Sequence, residues 1–132
     1  MGKFLVFGGG GMVASHLIDL LLEKGHEVWA TIRWNEDLSN IQHCKEKINL
    51  IECDLIDYTS VLKAIEKSKP EAISLLGAES YVSSSSDKPQ STLLANGLGT
   101  MNVLVAVRYI KEKEGYDPII HICSSSEVYG LV

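Results

Sequence analysis

Short apolar runs recur along this chain, and between them lie longer stretches in which apolar residues return every three or four positions. Residues 3–7 form the first run, and an unbroken run of this kind reads as a strand buried on both faces of a parallel sheet. Val13, Leu17, Leu20, Leu21 and Lys24 follow at helical spacing, with His16, Asp19 and Glu23 assigned to the solvent side. Lys24 and then Gly25 form a stop signal. A second strand is predicted over residues 27–32 and a third around Ile48, Leu50 and Cys53, with a short helix near residues 38–44 between them. Asp57 is the expected N-cap of a helix over residues 58–68 whose Val61, Leu62 and Ile65 face inward, and Lys69-Pro70 ends it. Residues 72–76 give a fourth strand. Residues 92–113 give a long helix with Leu94, Leu98, Met101, Val105 and Arg108 on its inner face, and residues 119–123 a fifth strand after Gly115 and Pro118.

Five strands alternating with helices imply an α/β fold, a doubly wound parallel sheet of order 3-2-1-4-5. At 132 residues a single domain is expected, with no internal repeat. Composition adds exclusions. A net charge of −5 without a local basic cluster argues against nucleic acid or an anionic membrane as partner. Cys44, Cys53 and Cys123 make an odd count with no C-x-x-C spacing, which fits reduced thiols in a cytoplasmic protein and suggests no metal site. Neither a cleavable leader nor a membrane span is read from the sequence.

The candidate chemistry begins at Gly8, Gly9, Gly10 and Gly11, between the first strand and the helix that starts at Met12. Glycine accepts positive φ and lets a pyrophosphate approach the backbone, while the amides and positive end of the following helix favour an anion. Two registers fit, Gly9-x-Gly11-x-x-Ala14 and Gly8-x-x-Gly11-x-x-Ala14. With Met12 and Val13 at the start of the helix, this is the dinucleotide-binding signature in the context that makes it meaningful, and it implies the Rossmann arrangement. At the end of the second strand, where an acid would select NAD, the chain carries Thr31-Ile32-Arg33-Trp34. The Arg33 fork suits the 2′-phosphate of NADP, its alternative being an ordinary exposed arginine with NAD as cofactor. Trp34 is expected either over the adenine or packed against its own loop. The segments leaving strands four and five, residues 77–86 and 124–130, lie at the carboxyl edge where open α/β sheets place ligands. Leu76 and Cys123 end those strands.

Four stretches carry a resemblance: residues 20–28 (Leu-Leu-Leu-Glu-Lys-Gly-His-Glu-Val), Asp54-Leu55-Ile56-Asp57, Asn96-Gly97-Leu98-Gly99-Thr100, and Ser124-Ser125-Ser126-Glu127-Val128-Tyr129-Gly130. On these the chain resembles the extended short-chain dehydrogenase/reductase family, and within it the nucleotide-sugar 4,6-dehydratases, the GDP-mannose 4,6-dehydratase group most of all. The resemblance implies that Asp54 accepts a hydrogen bond from the adenine amino group with Leu55 beside the ring. It implies that Ala78, Glu79 and Ser80 approach the cofactor ribose and the sugar, with Gly77 before them a further cofactor-binding candidate. Ser125 falls at the position of the catalytic Ser or Thr that contacts the sugar 4-oxygen, with Ser126 beside it, and Glu127 at that of the base for the C5 proton. The implied reaction takes a hydride from sugar C4, loses water across C5–C6 and returns the hydride to C6.

Departures from the family pattern are equally specific. Phe7 and Leu75 replace a common threonine and a common Asn or His, and Ser126 cannot act as an acid. The family's Tyr-x-x-x-Lys pair is expected on the helix after the Ser125 strand. The one such spacing here, Tyr109 and Lys113, precedes that strand and is rejected as catalytic. The chain therefore reads as the N-terminal part of a longer enzyme, inactive alone, with a homo-oligomer among the assemblies open to it. Related epimerases, reductases and decarboxylases are alternatives within the class. A non-catalytic NADP-binding module, or a structural partner donating a half-sheet, are alternatives outside it.

Overall fold

The computed structural model describes residues 2–34, 37–76 and 97–123. The strands are β1 (Lys3–Phe7), β2 (Glu27–Ile32), β3 (Asn49–Glu52), β4 (Ala72–Leu75) and β5 (Ile119–Ile122), and the helices α1 (Met12–Glu23), α2 (Tyr58–Ser68) and α3 (Gly99–Glu114). All four strand pairings are parallel, and the sheet order is β3-β2-β1-β4-β5. The expected fold is therefore present, with β1 at the centre.

The pleat divides β1 between two cores. Leu5 and Phe7 point to one face, where they meet Ile73 and Leu75 of β4 beneath Val61, Ala64 and Ile65 of α2 and Val103, Ala106 and Ile110 of α3. Val6 points to the other, joining Val28 and Ala30 of β2 beneath Ala14, Ile18 and Leu21 of α1. The connection from β2 to β3 completes this second core with Ile41, Cys44 and Ile48. In place of the expected helix at residues 38–44, it makes two 3-10 turns, Ser39–Ile41 and Lys45–Lys47.

Helix boundaries follow local chemistry. Gly25 and Gly115 take positive φ (81° and 76°) just beyond α1 and α3, as helix-ending glycines do. Lys69 closes α2 in the left-handed region at φ 44°, because Pro70 beyond it forbids another helical turn. Asp57 holds the N-cap position of α2 but makes no side-chain cap; its backbone carbonyl instead accepts the Val61 N–H at 3.1 Å.

Two helix faces differ from those that spacing predicts. In α1 the buried residues are Ala14, Ser15, Ile18 and Leu21, whereas Val13 and Leu20 are exposed. In α3 they are Gly99, Asn102, Val103, Ala106, Val107 and Ile110, with Leu98, Met101 and Arg108 outside. In both, small or polar residues share the inward stripe with apolar ones, where the helix lies close against its neighbours. An addition at Gly99 shows how close: a Cβ there would stand 3.0 Å from the Leu55 Cβ.

Candidate dinucleotide site

The carboxyl ends of the strands bring most of the described candidates to one edge. At its centre the chain leaves β1 through Gly8, which takes φ 84° and so suits only glycine. The Gly8 N–H donates to the Thr31 hydroxyl at 3.1 Å, and the Gly9 N–H to the Thr31 carbonyl at 2.8 Å. β2 thus grips the turn through side chain and backbone of one residue. Gly9 sits so near β2 that a Cβ would lie 2.7 Å from the Ala30 Cβ and 3.2 Å from the Thr31 oxygen. Gly11 meets no comparable barrier, its nearest neighbour being the Gly8 oxygen at 3.5 Å. The two sequence registers are thereby separated in cause: Gly8 is needed for its dihedral angle and Gly9 for proximity.

Gly11 is extended (φ −80°, ψ 166°) and supplies no side-chain cap to α1, whose first turn carries no acid. The first intrahelical bond is Ser15 N–H to the Gly11 carbonyl at 3.0 Å. The amides of Met12, Val13 and Ala14 therefore belong to the orphan set that opens every helix. Met12 and Val13 are exposed beside them. Such a turn can cradle a diphosphate: its first amides lack intrahelical partners, the first turn of the helix holds no acid, and the helix macrodipole favours negative charge. From the flank, Asn40 Nδ2 donates to the Gly10 carbonyl at 3.1 Å, tying the β2–β3 connection to the turn.

Arg33 and Trp34 follow β2 at the same edge, both exposed. Trp34 is 79% exposed, so packing against its own loop is not what the structure adopts. One strand further out, residues 53–57 make a hydrogen-bonded turn. The Ile56 N–H donates to the Asp54 carboxylate at 3.2 Å and the Asp57 N–H to the Asp54 carbonyl at 2.9 Å. The Ser60 hydroxyl accepts the Asp54 N–H at 3.1 Å. From α3, Asn102 Nδ2 donates to the Leu55 carbonyl at 2.7 Å. Leu76 follows β4 and donates its N–H to the Phe7 carbonyl of β1 (3.2 Å), while Cys123 follows β5 and donates its N–H to the Leu75 carbonyl of β4 (3.3 Å).

Gly77, Ala78, Glu79, Ser80, Ser125, Ser126 and Glu127 lie outside the described residues. Tyr109 and Lys113 stand on the outer side of α3, both exposed, with the Lys113 ammonium 5.9 Å from the Tyr109 ring centre. The tyrosine is thus an exposed helix-face aromatic. Sequence reasoning missed Thr31, Asn40, Ser60 and Asn102. Thr31, Asn40 and Asn102 act on backbone groups 23 to 47 residues away, which no local motif signals, whereas Ser60 closes the turn just before its own helix.

A five-stranded parallel sheet of order 3-2-1-4-5, with a glycine turn leaving its central strand, defines a domain of the Rossmann class. The model of the GDP-mannose 4,6 dehydratase family matches residues 5–132, and the chain belongs to that family. It is 32% identical to the GDP-mannose 4,6-dehydratase of Yersinia enterocolitica over 143 residues, covering 100% of this chain and 37% of that enzyme. The Homo sapiens GDP-mannose 4,6 dehydratase is 34% identical over 141 residues, covering 97% of this chain and 37% of its own length. Among solved structures, a UDP-glucose 4-epimerase from Brucella ovis in complex with NAD superposes with a TM-score of 0.83 at 25% identity, covering 99% of this chain and 38% of that one. The chain thus spans a little over a third of the length of these relatives. Among the described residues no helix is long and apolar enough to cross a membrane.

Proposed function

We propose that this chain is the nicotinamide-dinucleotide-binding portion of a nucleotide-sugar 4,6-dehydratase, with NADP as cofactor. The observation that carries the reading is the turn at residues 8–11, pinned to β2 by Thr31 and opening an uncapped helix. Gly8, Gly9, Gly10 and Gly11, with the amides of Met12 and Val13, hold the diphosphate. Asp54 and Leu55 flank the adenine, and Arg33 pairs with the 2′-phosphate. Leu76, Gly77, Ala78 and Cys123 line the path toward the nicotinamide.

Bound in the cradle, the nicotinamide would supply the hydride chemistry between sugar C4 and C6. The chain's own residues orient and move protons. Ser125 donates a hydrogen bond to the 4-oxygen, and Glu127 removes the C5 proton once the neighbouring carbon is a ketone, the C6 hydroxyl leaving with a proton as water. Glu79, Ser80 and Ser126 contact the sugar. The Tyr-x-x-x-Lys pair that the family requires is supplied by residues beyond this chain. The epimerase likeness favours a second reading, a nucleotide-sugar epimerase; Glu127 discriminates, because epimerisation at C4 needs no base for C5.

Cofactor choice is tested by titrating the chain with NADP(H) and NAD(H). Tighter NADP(H) binding that Arg33→Ala weakens about tenfold, leaving NAD(H) unchanged, is expected for a charge-assisted phosphate contact. Equal affinities would return Arg33 to the ordinary surface. In the full-length enzyme, Glu127→Gln should abolish dehydration while leaving cofactor binding intact; unchanged turnover would overturn the dehydratase assignment.

A further inference from the structure

About two turns along α1 from the glycine turn, three side chains of different chemistry converge. Asp19 projects from the helix, and His43 and Cys44 come from the β2–β3 connection between its two 3-10 turns. His43 Nε2 and Asp19 Oδ1 are 2.8 Å apart, and with the Cys44 sulfur the potential ligand atoms all lie within 4.8 Å of one another. We propose that Asp19, His43 and Cys44 bind one divalent transition ion of borderline softness, Zn²⁺ in kind.

A His–Asp contact alone is an ordinary surface pair. What changes its meaning is the buried thiol beneath two exposed groups. Metal–ligand bonds of about 2.0–2.3 Å put tetrahedral ligands roughly 3.3–3.7 Å apart. The nitrogen and oxygen must separate by about half an ångström and the sulfur approach by about one, which rotation of the exposed Asp19 and His43 side chains allows. Mixed nitrogen, oxygen and sulfur donors suit Zn²⁺ or Co²⁺; Mg²⁺ and Ca²⁺ require oxygen shells.

The charges and protons balance without redox chemistry. Asp19 binds as carboxylate, His43 as neutral imidazole through Nε2 with its proton on Nδ1, and Cys44 as thiolate. The Cys44 proton leaves to solvent, and two anionic ligands neutralise the dication. Three protein ligands leave the fourth position to water. The bound ion ties α1 to the connection that also carries Arg33 and Asn40, and Asn40 holds Gly10. It acts as a staple beside the glycine turn, and the assignment does not depend on which cofactor that turn takes.

Cobalt provides the test. The full chain, stripped with a chelator and kept reduced, is titrated with Co²⁺ and followed by absorption. One equivalent should produce a thiolate-to-cobalt charge-transfer band together with intense tetrahedral ligand-field bands. Cys44→Ser should abolish the charge-transfer band, while Cys53→Ala with Cys123→Ser should retain it. Asp19→Asn and His43→Gln should each weaken binding at least about tenfold, and Zn²⁺ should displace the cobalt and raise the melting temperature. If Cys44→Ser does not fold, the double variant of Asp19 and His43, altered only at exposed positions, decides in its place. The absence of a charge-transfer band, its survival in Cys44→Ser, or undiminished affinity in the double variant would overturn the site.

Discussion

Among the described residues, the face of the sheet that α1 covers is finished on one side of β1 and open on the other. Over β1, β2 and β3, the helix and the β2–β3 connection bury Val6, Val28, Ala30, Ile41 and Cys44. Over β4 and β5 the same face carries Ser74, Ile119 and His121, and Ile119 is 74% exposed. Ser74 and His121 make this half more polar, but Ile119 is apolar and still exposed, so strand composition does not explain the whole difference. The rest lies in what each strand connection supplies. The first βαβ unit contains its own covering helix and fastens its own ligand turn, whereas α2 and α3 both pack on the opposite face. A cofactor cradle can thus be preorganised by local chain, while the half beside it depends on elements that the described residues do not include.

The largest effect expected from this contrast is on stability. Ile18→Ala, on the covered side, should cost about 3 kcal/mol, and Ile119→Ala less than about 0.5 kcal/mol, as urea unfolding would measure. Comparable losses would mean that something buries Ile119 after all. Thiol labelling sharpens the same comparison. Cys123 is exposed, whereas Cys44 and Cys53 are buried on opposite faces. Burial raises both buried thiols above their ordinary pKa, with the Asp19 charge adding to the effect at Cys44 and the Asp54 charge at Cys53. One thiol should react rapidly in the native protein. The other two should react at least about a hundredfold more slowly, through opening of the structure.

Much of this was legible in the sequence. Strand runs, helix stops at Gly25 and Lys69-Pro70, and the glycine turn are local signals, and topology rules convert them into a sheet order. Helix faces were less legible. Spacing identifies an apolar stripe, but in α3 Gly99, Asn102 and Ala106 share the inward face with Val103, Val107 and Ile110, selected by closeness and hydrogen bonding. The supports of the site were not legible at all. Thr31 reads as an ordinary strand threonine until β2 is laid beside β1, and the Asp19–His43 contact joins residues 24 apart in sequence.

The two smallest predictions concern the turn itself. Gly9→Ala inserts a Cβ where 2.7 Å separates it from the Ala30 methyl. Because the obstacle is packed side chain and strand backbone, the turn must move outward, and cofactor affinity should fall about thirtyfold, close to 2 kcal/mol. Calorimetric titration would read it. Ala30→Gly should restore part of the loss by removing the nearest obstacle.

Thr31→Val asks less of the structure. The valine keeps the volume and the backbone bond to the Gly9 N–H, but the Gly8 N–H loses the hydroxyl that accepts it. An amide left without its partner at a partly buried site costs about 1 kcal/mol, so affinity should drop about fivefold while the fold persists. Thr31→Ser should retain near-native binding, since it keeps the acceptor and drops only a methyl. Should Val and Ser behave alike, the turn is held by backbone and close packing alone. The side-chain grip from β2 would then contribute nothing to the preorganisation that distinguishes the covered half of the sheet.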